Sequence, residues 1–318
     1  MNTPAIEVNG LTKRFRKAAV VESLTFQVPA GSICGLLGNN GAGKTTTIRM
    51  LMGHLHPTAG AARTLGGDPW RHPEATLRRI AYVSESMALP RWMSIEGAVR
   101  MNAGFFPNWD HALAARLLDE FRLRRQGRFG VLSRGQKRKA LLLLALCQRA
   151  DLLIFDEPTS GLDVESRRRF LDGLLDVALE GGRTVLLSSH ILSDIERIAD
   201  RIVILQDGRL LVDGELEELK SATRQLFVPV PLPRSVFDEH FRVHACDRHA
   251  DGGTIATVLD FTDEAFQRFV SALPADQQPA VRAHGFNLEE LYLTLTGSGF
   301  RNRPAAPHFA RQQNQARL

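Results

Sequence analysis

Apolar positions along the chain fall into short unbroken runs separated by segments of helical spacing. Residues 33–37 (ICGLL) form one such run, closed by Gly38, and predict a strand buried on both faces. The segment after Lys44 (TTTIRMLMGHL) has helical spacing and no breaker before Pro57. Residues 152–155 and 184–187 predict two further buried strands. Between them, 164–180 places Phe170, Leu171, Leu174, Leu175 and Ala178 on one helical face, and Gly181-Gly182 supplies the stop. Strands alternating with helices predict a parallel sheet with crossovers. Residues 202–206 and 209–212 flank Asp207-Gly208, the turn pair that most strongly marks a hairpin.

The texture changes twice. Residues 90–150 read as mostly helical, with Leu113, Leu117, Leu118 and Phe121 in a stripe behind a cap at Asn108 or Asp110. This predicts a helical insertion into the sheet domain. Beyond Lys220, the Pro-broken stretch 228–233 reads as a linker. Strands at 241–246 and 254–259 and helices at 263–273 and 287–295 follow it. In the last helix Asn287 and Glu290 form a capping-box pattern, with Leu288, Leu291, Tyr292 and Leu295 on one face. The expected organisation is a sheet domain over 1–220, with the helical part at about 90–150. A small α+β accessory domain at 221–299 and a disordered basic tail at 300–318 complete it.

Composition narrows the classes. With 318 residues, one large domain and an accessory domain fit. Cys34, Cys147 and Cys246 match neither a disulfide framework nor a zinc spacing, and read as small buried hydrophobes in a reducing compartment. The N-terminus lacks a signal-peptide core, and the longest apolar run, 140–147, is far too short to cross a bilayer. A net charge of +5 permits attraction to anionic surfaces without demanding it, and no nucleic-acid partner is expected.

Residues 38–45, GNNGAGKT, match the phosphate-loop pattern G-x-x-x-x-G-K-[ST]. Glycines let the chain wind so that successive N–H groups face the phosphates, and the following helix adds its positive end. Lys44 would bridge the β- and γ-phosphates, and Thr45 would ligate magnesium. Asp156 and Glu157 close the run 152–155. Beside a phosphate loop, Asp156 suits a magnesium ligand and Glu157 a general base that polarises the attacking water. Residues 132–136, LSRGQ, precede a strongly apolar helix and would place the Ser133 and Gly135 N–H groups at its N-terminus, a second anion site. Lys137, Arg138 and Lys139 oppose that helix dipole, which predicts an anionic partner for them. A head-to-tail dimer would let each LSRGQ segment cap the nucleotide held by the other chain.

Across about its first 220 residues the sequence resembles the ATP-binding cassette of ABC transporters, with each motif in family order. The resemblance implies an α/β P-loop NTPase fold: a mostly parallel sheet core, an antiparallel N-terminal β part and an inserted helical subdomain. It implies ATP and Mg2+ as cofactors. Phe15 matches the aromatic that stacks on adenine, where the family more often has Tyr. Gly38, Asn39, Asn40, Gly41, Ala42, Gly43, Lys44, Thr45 and Thr46 match the phosphate loop. Ser133, Gly135 and Gln136 match the signature segment, and Asp163 lies in the loop (residues 160–163, SGLD) that contacts the opposite protomer. Lys44, Glu157 and His190 match catalytic positions, His190 being the switch histidine. Thr45, Asp156 and Glu85 would be the metal side.

Two positions depart from the pattern: Arg134 replaces the first signature glycine, and Glu85 stands where the family usually has Gln. Ser84-Glu85, residues 106–110 (FPNWD) and LSRGQ together resemble bacterial export-type cassettes linked to GntR-type regulators. The implied function is the ATP-hydrolysing subunit of a transporter, of the export kind, at the cytoplasmic face of the cell membrane. Its implied partners are a separately encoded membrane permease and a second cassette, in a homodimer or a heterodimer. Three rivals belong to the same superfamily. A chromosome-type ATPase needs long coiled coils between the phosphate loop and LSRGQ, and this interval has no heptads. A translation factor normally carries two cassettes in one chain. A non-transport assembly scaffold is distinguished by whether a membrane protein co-purifies.

Overall fold

Buried apolar runs and amphipathic helices assemble into three sheets in the computed structural model, which describes residues 3–16, 18–71 and 73–297. The chain divides into two compact units, Met1–Gly214 and Glu215–Leu318. Residues 300–318, expected as a basic tail, lie outside the described residues.

In the first unit, β1 (Ile6–Phe15), β2 (Ala18–Val28) and β4 (Ala59–Thr64) form an antiparallel sheet of order β2-β1-β4. A second, six-stranded sheet contains β3 (Ile33–Leu37), β5 (Ile80–Val83), β6 (Leu152–Asp156), β7 (Thr184–Ser188), β8 (Arg201–Gln206) and β9 (Arg209–Glu215). Its order is β5-β6-β7-β3-β8-β9, with the first five strands parallel. Every residue of β3, β6 and β7 is buried, as strands covered on both faces require. Because these three run parallel and side by side, their C-terminal ends emerge together along one edge of the sheet.

The helices follow local rules. The helix Val164–Gly181 starts at Asp163, whose carboxylate accepts from Ser166 N at 2.8 Å, and ends at Gly182 with φ +56°. It buries Phe170, Leu171, Leu174, Val177 and Ala178, while Leu175, expected on that face, is half-buried. Phe170 meets Phe155 of β6 edge-to-face at 5.5 Å, and both rings are fully buried. Burial of that kind stabilises by about 1.5–3 kcal/mol per side chain. The helices Ile95–Phe105, His111–Glu120 and Arg134–Cys147 lie in sequence between the neighbouring strands β5 and β6, which makes them the predicted insertion. Of the two expected caps, Asp110 is the one used, accepting from Leu113 N. Asp207 (φ +50°) and Gly208 (φ +78°) turn the hairpin between β8 and β9.

The helix after the phosphate loop is shorter than its spacing predicts. It spans Lys44–Leu51, because Gly53 takes φ +68° and packs against the Pro69 carbonyl, where any Cβ would lie 2.4 Å from oxygen.

The second unit has its own antiparallel sheet of β10 (Arg224–Val228), β11 (Val243–Arg248), β12 (Thr254–Val258) and β13 (Arg282–Gly285), ordered β11-β12-β10-β13. Phe237, Phe241 and Phe269 centre its core. Asn287 and Glu290 form the expected capping box. Residues 228–233 are not a linker. Val228 is fully buried, Val230 and Leu232 pack on the core, and Thr254 Oγ1 donates to Val230 O and accepts from Leu232 N. Proline breaks the ladder there without detaching the chain.

Candidate functional site

The phosphate loop joins β3 to the helix Lys44–Leu51. Gly43, the residue before that helix, has φ +98°, and a Cβ on it would sit 2.9 Å from Val20 O. Only glycine meets both conditions. The helix start carries no side-chain cap, so its first N–H groups point outward uncommitted to a capping side chain. Asn39, Asn40, Gly41 and Thr45 are exposed on this loop, Thr46 is half-buried, and Gly38, Ala42 and Gly43 are buried beneath it.

Lys44 is buried, and its Nζ donates to Gly38 O at 2.7 Å and to Asn39 O at 3.4 Å. Burial pulls the ammonium below its ordinary pKa, against Glu157 and Asp156, which hold it up. Its Nζ lies 3.9 Å from Glu157 Oε1. The other Glu157 oxygen, Oε2, is 2.6 Å from His190 Nδ1 and accepts from His190 N at 3.4 Å. One carboxylate therefore sits between the cation of the phosphate loop and the histidine that follows β7.

Two residues that were not expected at this corner build it. Ser188, fully buried at the end of β7, donates through Oγ to Asp156 Oδ1 at 2.8 Å, and that same oxygen accepts from Glu157 N at 3.1 Å. One hydroxyl fixes both acidic residues. The second is Arg138, also buried, which donates to Ser84 O at 2.8 Å and to Glu157 O at 3.1 Å. Glu157 itself has φ +51°, a left-handed conformation that costs a β-carbon residue about 1–2 kcal/mol. The signal for Ser188 was a hydroxyl ending an otherwise apolar run. For Arg138 it was a cation on the buried side of an apolar helix.

The structure thus gathers Lys44, Asp156, Glu157 and His190 at the shared edge of β3, β6 and β7. Ser133, Gly135, Gln136 and Asp163 form a second group. Ser133 caps the helix Arg134–Cys147 through a full capping box: its Oγ accepts from Gln136 N, and its own N–H donates to Gln136 Oε1. The Ser133 N–H expected to face an anion is therefore committed within the chain here. Gly135 lies beside Gly161 O, and Lys139 Nζ is 3.9 Å from Asp163. The basic first turn divides as well. Arg138 turns inward to carbonyls, and Lys139 lies 3.9 Å from the Asp163 carboxylate, an anion of the same chain. The Ser166 hydroxyl holds the Asp163 carboxyl below its usual range.

Glu85 is exposed, one residue beyond the Ser84 carbonyl that Arg138 grips. Phe15 is also exposed, at 47%, with Lys13 Nζ 5.1 Å from its ring centre. Cys34 and Cys147 take no part: both are fully buried, and burial pushes both thiols up to about 12, while Cys246, expected to be buried as well, is half-buried in the second unit. Among the described residues, no helix is long and apolar enough to cross a membrane.

Residues 21–160 match the family model described as ABC transporter. The daunorubicin/doxorubicin resistance ATP-binding protein DrrA of Streptomyces peucetius is 37% identical over 225 residues, covering 69% of this chain and 68% of that protein. The Nod factor export ATP-binding protein I of Burkholderia lata is 31% identical over 309 residues, covering 93% and 98%. A solved ATP-binding subunit of an ABC transporter superimposes with a TM-score of 0.63 at 33% identity, over 69% of this chain and 92% of that one. By sequence and fold, the chain belongs to the ATP-binding proteins of the ABC transporter family.

Proposed function

We propose that this chain hydrolyses MgATP within a head-to-tail pair of cassettes, and that closure and reopening of the pair drive export through a separately encoded membrane permease. The observation that carries this reading is the position of the Glu157 carboxylate, 3.9 Å from Lys44 Nζ and 2.6 Å from His190 Nδ1 at the edge where the phosphate loop emerges. A base, a phosphate-binding cation and a sensor of the γ-phosphate there suit attack of water on a triphosphate. Phe15 offers an exposed face to adenine. Ser133, Gly135, Gln136 and Asp163 would meet the nucleotide of the opposite cassette, in a homodimer or a heterodimer. Export follows the names of relatives, one of which is a Nod factor export ATP-binding protein. The motifs of nucleotide chemistry all fall in the first unit, which leaves the second as an accessory domain.

The donor set fits magnesium. Asp156 is buried at a strand end with Oδ1 fixed by Ser188, and Thr45 offers an exposed hydroxyl in the first turn of its helix. Among the described residues, no three His, Cys, Asp or Glu side chains converge on a metal position, so phosphate oxygens and water would complete the shell, as this ion prefers. Bound magnesium would neutralise charge on the phosphates during transfer. Glu85 would join Thr45 and Asp156 as a third hard-oxygen ligand. On that basis Glu85→Gln is expected to weaken the magnesium dependence of ATPase activity in the full chain, with metal-free ATP binding equal or tighter. Magnesium titrations that superimpose for parent and variant would remove Glu85 from the metal set.

The function itself is tested by isolation in mild detergent from the native host. A polytopic membrane protein should co-purify with the full chain at constant stoichiometry and raise its ATPase rate. Recovery of the chain with soluble proteins alone would favour an assembly scaffold instead.

A further inference from the structure

Among the described cations of the first unit, Arg138 stands apart in what it touches. It is buried, and both of its described hydrogen bonds go to backbone carbonyls at the ends of neighbouring strands. Ser84 directly follows β5 and Glu157 directly follows β6, and these strands are paired in parallel register, Val83 opposite Phe155. Nη1 takes the first carbonyl at 2.8 Å and Nη2 the second at 3.1 Å. The planar fork of a guanidinium spans two acceptors in a way that an ammonium cannot.

We propose that Arg138 is a positioning residue for ATP hydrolysis, tying the Glu85 loop and the helix Arg134–Cys147 to the backbone of Glu157. The proposal rests on Glu157 being the general base, as proposed above. Glu157 holds a left-handed φ of +51°, and its backbone is gripped from two sides: its N–H by Ser188 and its carbonyl by Arg138. Release of either grip lets the backbone relax toward the ordinary region and swings the carboxylate off its line. Arg138 also supplies charge. Glu85, Asp156 and Glu157 all attract its guanidinium, against the cost of burying it. The carboxylate at 85 and the cation at 138 thus compensate each other, so that a loop bearing Glu rather than a neutral amide can rest beside the acidic strand end. Any movement of the loop at Ser84–Glu85 is felt directly at the base.

The test is a set of Arg138→Gln and Arg138→Lys variants of the full chain, each made alone and with Glu85→Gln. Nucleotide affinity, thermal midpoint, KM and kcat are measured for each. Arg138→Gln is expected to lower kcat by about 10- to 100-fold while ATP affinity stays within about twofold of the parent. Arg138→Lys should recover only part of the rate. In the Glu85→Gln background the loss should be smaller, because one carboxylate fewer is left without its counter-charge. An unchanged kcat, or a fall in kcat that tracks a loss of ATP affinity, would overturn the proposal. So would equal losses in both backgrounds. If Arg138→Gln does not fold, the same comparisons on Arg138→Lys decide. Failure of the general-base reading is read separately: Glu157→Gln would then keep the parent rate, whatever Arg138 does.

Discussion

Lys44→Ala is expected to reduce ATP hydrolysis to background, a loss of about 10²–10³-fold or more in kcat. The side chain is buried, so its charge acts where solvent screening is weak. In the structure Nζ is already desolvated and held on the Gly38 and Asn39 carbonyls, inside the loop whose N–H groups would cradle the phosphates. A triphosphate therefore gains a cation whose burial cost has been met by the fold. Because charge on the transferred phosphoryl group shifts during the reaction, removal of this cation should weaken transition-state binding more than ground-state binding. ATP affinity should fall too, by a smaller factor. Lys44→Arg is not expected to rescue the rate, since a wide guanidinium has to enter a space shaped around an ammonium on two carbonyls. Phosphate release by the purified full chain, with ATP affinity measured in parallel, checks both results. Hydrolysis by Lys44→Ala at the parent rate would mean that residues 38–45 are not the catalytic phosphate loop.

What could be read from the sequence is what local backbone geometry dictates. Gly43 is legible because φ +98° and a carbonyl 2.9 Å from its missing Cβ admit only glycine. The Asp207-Gly208 turn and the Asn287–Glu290 capping box are legible for the same reason: each closes its hydrogen bonds within a few residues. The buried runs of β3, β6 and β7 announce a parallel core, which then places Lys44, Asp156, Glu157 and His190 along one edge. Residues whose partners lie far along the chain were not legible. Ser188 reads as a polar residue ending a strand until β7 is laid beside β6, when its hydroxyl becomes the link between Asp156 and Glu157. Arg138 reads as one of three cations in a helix's first turn that await an anionic partner, and only the fold brings it to the carbonyls of Ser84 and Glu157. The stretch 228–233 reads as a linker because its prolines hide an attachment made through the Thr254 side chain.

Glu157→Gln should separate binding from chemistry. The substitution keeps the shape of the side chain and its oxygen acceptor for the nitrogen donors of His190, so the corner built by Ser188 and Arg138 has no reason to rearrange. It removes the basic carboxylate, and loss of a positioned general base costs about 10²–10⁴-fold. It also removes one negative charge beside Lys44, 3.9 Å away, which leaves that cation free to turn wholly to the phosphates. ATP affinity should consequently stay equal or rise while turnover nearly stops. If two cassettes close head-to-tail on the nucleotide, a variant that binds MgATP and cannot cleave it should accumulate in the closed state. Light scattering with saturating MgATP is then expected to give twice the monomer mass for Glu157→Gln, and the monomer mass for Lys44→Ala, which lacks the phosphate contact that closure needs. A Glu157→Gln protein that binds MgATP fully and still scatters as a monomer would count against the shared site and leave Ser133, Gly135, Gln136 and Asp163 without a nucleotide to meet. Parent-rate hydrolysis by the same variant would instead remove Glu157 as the base and require another oxygen or nitrogen at that edge to polarise the water.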